Sequence, residues 1–283
     1  MTQSAIWAAY EQRLLRVSDY IHAHLDDDLD LDRLAEVACL SPWHWHRVYR
    51  AVHGETLAGT VKRLRLQRAA ADLAHSRLAV SRIAARAGYP DLSSFNRVFK
   101  SSYGLAPAAY RRAGSHAAYS TALKQGMTDM YDVKIKMQEE VRLAGIAHQG
   151  SYMAIGKAFD MLYGTLSARN QLQKDCGMVG LYHDDPDVVP VEALRSHACV
   201  TVGVDFKAEA PLEPLVLPGG YFAVLTHKGP YADMPEAYRW LYAGWLPQSG
   251  RELRNDPMFE LYLNNPRDTA PGDLLTEIWM PLK

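Results

Sequence analysis

The feature that most narrows what this chain can fold into is an internal echo. Ser41-Pro-Trp-His-Trp-His-Arg-Val-Tyr-Arg50 and Asp91-Leu-Ser-Ser-Phe-Asn-Arg-Val-Phe-Lys100 align at an offset of fifty residues. The alignment pairs Trp45 with Phe95, Arg47 with Arg97, Val48 with Val98, Tyr49 with Phe99, Arg50 with Lys100 and Gly54 with Gly104. Each copy opens on a residue suited to cap a helix, Ser41 or Asp91, and closes on a glycine suited to end one. In the first copy Trp45, Val48, Tyr49 and Val52 recur at i, i+3, i+4 and i+7, which predicts a buried stripe. Trp43, His46, Arg47 and Arg50 then fall on the opposite face. The second copy sorts likewise, with Phe95, Val98 and Phe99 inward and Ser93, Asn96, Arg97 and Lys100 outward. A helix with base-reading and phosphate-binding side chains on one face suits insertion into a DNA major groove. Two copies predict two insertions.

Charge supports that reading. Residues 1–113 hold 16 Lys/Arg against 11 Asp/Glu, whereas residues 114–283 hold 15 against 21. Within residues 40–113 the ratio is 13 basic to 3 acidic. A near-neutral chain with one strongly basic segment fits a domain that meets a polyanion, joined to one that does not. No apolar run approaches a membrane span and the start of the chain lacks a signal pattern, so the expectation is a cytoplasmic protein with no membrane contact. Cys39, Cys176 and Cys199 are scattered, which is read as buried reduced thiols with neither a disulfide framework nor a metal site. No cofactor is expected.

Helical patterning surrounds each copy. Ile6 to Leu25 precedes an acidic turn, and Asp30 can cap Leu31 to Ala38 before the first copy. Ser81 is expected to cap Arg82 to Ala87 before the second. Between the two units, Leu57 to Leu73 reads as a connecting helix with Lys62, Arg63, Arg65 and Arg68 exposed. Arg47 and Arg97 are placed for guanine O6/N7 and Asn96 for adenine N6/N7, while Arg50, Lys100 and the connector arginines would meet phosphates. The two reading helices should lie about one DNA turn, roughly 34 Å, apart.

At these residues a resemblance becomes plain. Residues 10–112, through the closing Gly104-Leu-Ala-Pro107 and Tyr110-Arg-Arg112, resemble the DNA-binding domain of the AraC/XylS transcription regulators. The resemblance implies an all-α domain with two helix-turn-helix motifs over residues 1–113 and a double-stranded DNA partner. It implies base contacts from Trp43, His46 and Arg47 in the first reading helix and from Ser93, Asn96 and Arg97 in the second. It further implies RNA polymerase as a partner and activation as the sign of regulation.

Residues 114–127 read as a linker, and a second repeat follows over 128–283. His148-Gln-Gly-Ser-Tyr152 matches His227-Lys-Gly-Pro-Tyr231, and Gly180-Leu-Tyr-His-Asp-Asp-Pro186 matches Glu260-Leu-Tyr-Leu-Asn-Asn-Pro266. The unit is strand, strand, helix, strand, strand, present twice: a duplicated α+β domain with a central groove. His148 and His227 are expected to serve turns, and Tyr238 and Trp240 to be core. The repeat breaks where Gly180 is answered by Glu260. Phe259, Leu261 and Leu263 share one strand face, so Glu260 and Tyr262 point to the other. A carboxylate in an aromatic groove is costly unless paired or awaiting a cation, and Trp245, Trp279, Tyr152 and Tyr182 are candidate aromatic walls. A solvent-facing or structural Glu260 is the competing reading.

This half resembles the GyrI-like effector-binding domains of multidrug-sensing regulators. The resemblance is carried by Gly229-Pro-Tyr231, Trp245-Leu-Pro-Gln-Ser-Gly250, Pro257-Met-Phe-Glu-Leu-Tyr262 and Thr276-Glu-Ile-Trp-Met-Pro-Leu282. It implies a small-molecule effector, cationic or amphipathic, recognised by Glu260. Two alternatives stay open: hydrolysis of reactive small molecules by the same glutamate, and a protein-binding role.

Overall fold

The computed structural model describes residues 3–27, 29–39, 42–113, 131–173, 176–186 and 188–283. The side chains of 3–10, 31, 42–44, 46, 47 and 113 fall outside that description, as do Ser41 and the linker 114–127.

Among the described residues, seven helices build the first half: α1 Gln3–Ala23, α2 Leu31–Ala38, α3 Pro42–His53, α4 Leu57–His75, α5 Val80–Arg86, α6 Leu92–Tyr103 and α7 Pro107–Ala113. Their ends follow local chemistry. Asp30 and Asp91 each accept a backbone N–H three residues on, from Arg33 at 2.6 Å and Ser94 at 2.7 Å. Gly104 closes α6 in the left-handed region at φ 76°. One start differs from expectation. α5 begins at Val80, and its N-cap Ala79 makes no side-chain cap bond, so Ser81 lies inside the helix.

Two separate apolar cores form, one per helix-turn-helix unit. Trp45 and Tyr49 of α3 are buried with Leu14, Val17 and Ile21 of α1 and Leu34 of α2. Phe95 and Phe99 of α6 are buried with Ile83 and Ala84 of α5 and Tyr103. Helix α4 is common to both: Leu57, Val61 and Leu64 enter the first core, while Leu66, Ala70 and Leu73 enter the second. The connector therefore fixes the spacing of the two units by packing. Its arginines, expected from sequence to be exposed toward phosphates, are engaged within the protein instead. Arg65 donates to the carbonyls of Leu25 and Asp27, Arg68 pairs with Asp26, and Arg63 donates two bonds to Glu55. The half-buried guanidinium groups find these acceptors close by, so their N–H donors are satisfied within the protein. Cys39 also departs from expectation, since it is exposed at the end of α2.

The second half is one eight-stranded antiparallel sheet: β1 Val133–Gln138, β2 Val141–Gln149, β3 Met178–Tyr182, β4 Arg195–Thr201, β5 Glu213–Leu217, β6 Gly220–Lys228, β7 Met258–Tyr262 and β8 Leu275–Leu282. The order is β1-β6-β8-β7-β3-β4-β2-β5, so each repeat lends its first strand to the edge of the other. Helix α8, Gly156–Ala168, covers β2 and β4, and helix α9, Met234–Trp240, covers β6 and β8. The opposite sheet face carries its own apolar layer, with Phe259 and Trp279 stacked and Phe222 edge-on to both. Strands β3 and β7 meet where the two repeats join, in the gap between α8 and α9.

The halves are tied to each other. Helix α1 lies along α8, with Glu11 accepting two bonds from Arg169 and Asp19 pairing with Lys157. Tyr110 of α7 donates to Asp233 at 2.8 Å, and His75 of α4 bonds the carbonyl of Ala232.

Candidate functional site

Glu260 sits at the join of the two repeats because β7 alternates. Phe259 and Leu261 enter the aromatic layer on one face, which turns Glu260 and Tyr262 to the helix side. Its cross-strand partner on β3 is Gly180, the residue where the repeat breaks. A Cβ at Gly180 would come within 2.8 Å of the Tyr262 hydroxyl and 3.0 Å of the Tyr182 hydroxyl. The missing side chain on one strand thus makes room for what surrounds the carboxylate on the other.

Three phenols hold Glu260. Tyr238 donates to Oε1 at 2.7 Å and Tyr262 to Oε2 at 2.7 Å; Tyr182 stands 3.1 Å from Oε2 and 2.8 Å from the Tyr262 oxygen. Tyr182 has one proton and so bonds one of those two at a time. Glu260 is 6% exposed and forms no ion pair among the described residues. Burial raises its carboxyl above the ordinary value, and the phenol donors partly offset that. The same burial, with the Glu260 charge, pushes Tyr182, Tyr238 and Tyr262 well above the usual tyrosine range, so all three remain donors.

The group opens onto a cavity of about 1280 Å³ between α8, α9 and helix α4 of the first half. Further aromatic side chains frame it. Tyr152 meets Tyr182 edge-on at 4.8 Å, while Tyr231 and Phe159 pack edge-on against Tyr262 at 5.6 and 5.4 Å. An apolar, aromatic enclosure with one placed charge is the usual form of a small-molecule site. Among the described residues, no group of three or more His, Cys, Asp or Glu can hold a metal.

Of the effector residues expected from sequence, Glu260, Tyr262, Tyr182 and Tyr152 line this cavity together. Two are placed elsewhere. Trp279 pairs with Phe259 on β8, so it shares Phe259's face and lies under the sheet, with its ring N–H on Glu277. Trp245 packs into the core beneath α9, outside the cavity wall. Tyr238, expected in the core, packs against it and also turns its hydroxyl to Glu260. Its position on α9, the helix that borders the gap, supplies the reason, and helical spacing alone does not reveal it. His148 and His227 do serve turns, bonding the carbonyls of Ser151 and Pro230.

On the first half, Ser93, Asn96, Arg97 and Lys100 form one exposed face of α6, and Arg50 is exposed on α3. Trp43, His46 and Arg47 belong to the α3 backbone helix, but their side chains lie outside the described residues.

A pair of helix-turn-helix units on a shared connector, joined to a duplicated sheet with a buried carboxylate pocket, defines a DNA-binding regulator with a small-molecule-binding domain. The chain belongs to the GyrI-like small molecule binding domain family, whose model matches residues 131–283; a helix-turn-helix domain model of AraC type matches residues 34–113. It is 24% identical over 294 aligned residues to the right origin-binding protein of Escherichia coli (strain K12), covering 93% of this chain and 96% of that protein. It is 29% identical to the DNA gyrase inhibitor of Escherichia coli (strain K12), covering 50% of this chain and 91% of that protein. A cryo-electron-microscopy structure of an EcmrR–DNA complex in EcmrR-RPo aligns over 88% of this chain and 84% of its own, at 17% identity and TM-score 0.49. No helix among the described residues is long and apolar enough to cross a membrane.

Proposed function

We propose that this regulator senses a small lipophilic or amphipathic organic cation bound at Glu260 and that it acts as a transcription activator that contacts RNA polymerase. The observation that carries the ligand class is the buried Glu260 carboxylate, which is ringed by phenols and has no cationic partner among the described residues. A buried charge left in that state is costly, and a desolvated cation among tyrosine rings offsets the cost directly. The name of the right origin-binding protein supports DNA as the first half's partner. Arg97 and Asn96, with Arg47 and His46, are the base readers in this scheme; Arg50 and Lys100 bind phosphate. Trp43 and Ser93 complete the two reading faces.

The test is a titration of the full chain with tetraphenylphosphonium, followed by tryptophan fluorescence. Binding should saturate, and Glu260→Gln should weaken it at least tenfold. Unchanged affinity in that variant removes Glu260 from the site. Consumption of a strained-ring ester by the parent chain, lost in the variant, would replace sensing with hydrolysis.

A further inference from the structure

The cavity has two domains for walls. Its floor is Glu260 on β7, and one side is a strip of α4 in the DNA-binding half: Gly59, Lys62, Arg63, Leu66, Gln67 and Ala70. These positions recur with helical spacing along one face of the connector. At about 1280 Å³ the space exceeds the roughly 300–1,000 Å³ usual for a single drug-sized ligand. A compact cation resting on Glu260 leaves the α4 side unfilled.

The charges around the cavity are almost all spoken for. Glu55 holds Arg63, Asp160 holds Arg267, Asp184 holds Arg195 and Asp256 holds Arg254. Asp185 and Arg239 each have an interaction of their own. Two lining charges stand apart among the described residues: Glu260 at the floor, whose side-chain partners are all phenols, and the exposed Lys62, which has neither an ion pair nor a side-chain hydrogen bond. They are opposite in sign, and they belong to different domains.

We infer that the site takes a bipolar amphiphile, with an organic cation received by Glu260 and an anionic group at the far end of an apolar chain received by Lys62 on α4. This rests on the reading of Glu260 as a cation site and adds the second pole. Such a ligand touches the connector that spaces the two reading helices, so its occupancy is felt by both domains at once.

The experiment compares two probes on the full chain, below their micelle-forming concentrations. Dodecyltrimethylammonium carries the cation and chain; 12-(trimethylammonio)dodecanoate adds a terminal carboxylate. A charge-assisted bond to Lys62 predicts that the carboxylate form binds about tenfold tighter. Lys62→Gln should bring the two within about twofold of each other. Equal affinities in the parent chain, or a carboxylate advantage that survives Lys62→Gln, would overturn the bipolar site while the cation reading stands. A dodecyltrimethylammonium affinity indifferent to Glu260→Gln would remove the cation reading itself.

Discussion

Gly180 and Glu260 face each other across β3 and β7, and the two residues make sense only as a pair. The glycine's value is steric, since any Cβ there meets the hydroxyls that bond the carboxylate. Gly180→Ala is therefore expected to displace Tyr182 or Tyr262 at a cost of about 1–3 kcal/mol and to weaken tetraphenylphosphonium binding. Calorimetric titration checks the binding, and a melting curve checks the fold. Protonation gives a second handle. Because burial raises the Glu260 carboxyl, lowering the pH neutralises it earlier than an ordinary glutamate, so affinity for a cation should fall on acidification. A pH titration that is the same in the parent chain and in Glu260→Gln would contradict this.

Among elements, α6 carries an exposed face proposed to meet DNA, while α4 spaces the two units. Helix α6 presents Arg97 on a free face above a core anchored by Phe95 and Phe99. Arg97→Ala should cost about 1–3 kcal/mol on a specific site and relax base preference there, as read by footprinting on variant operators. Lys100→Ala should lower the slope of binding against salt by about one phosphate contact. Arg65→Ala should not, because that guanidinium is already used by the carbonyls of Leu25 and Asp27. The basic count of the segment thus exceeds the number of basic groups left without an internal partner. Phe95→Ala tests the other side of the helix: a fully buried ring lost from the second core should destabilise by about 3–5 kcal/mol in urea unfolding.

At the scale of the molecule, the two halves share a buried ionic seam. Asp160 of α8 bonds His22 of α1 at 3.1 Å and Arg267 at 2.5 Å. Arg267 also reaches Glu55 and the carbonyl of His53 at the end of α3, and it covers the ring of Tyr163 on the cavity wall. This places a cavity residue one contact from the first reading helix. His22 and Arg267 hold the Asp160 carboxyl far below its ordinary 3.8 despite burial. Its contribution is complete above that value and is lost as pH falls through the depressed one. Asp160→Ala should cost about 3–5 kcal/mol, since it takes from buried Arg267 the nearer of its two carboxylates and from His22 its only carboxylate contact among the described residues. His53 sets a separate window. Burial pushes it down to about 4, so the folded state resists a proton that the unfolded chain accepts near 6.5. Stability should decline between those two values as pH falls, and His53→Phe should flatten the decline in urea midpoints at pH 5 and 7.

Short-range patterns determined the elements and their outward faces. The caps at Asp30 and Asp91, the stripes of Trp45 and Phe95, the duplicated strand-helix unit and the facing of Glu260 all depend on residues within a few positions of one another. Physical rules of spacing suffice for these. What surrounds Glu260 depended on which strands and helices become neighbours. Trp279 lost its place because β8 pairs Phe259 with it and sends both under the sheet. Tyr238 gained one because α9 borders the join of the repeats. The connector arginines found partners within the protein because distant carbonyls and carboxylates come close to them, and Lys62 met the cavity because α4 closes it. A sequence records which groups a chain carries, whereas burial and long-range pairing decide which of those groups are left for a ligand.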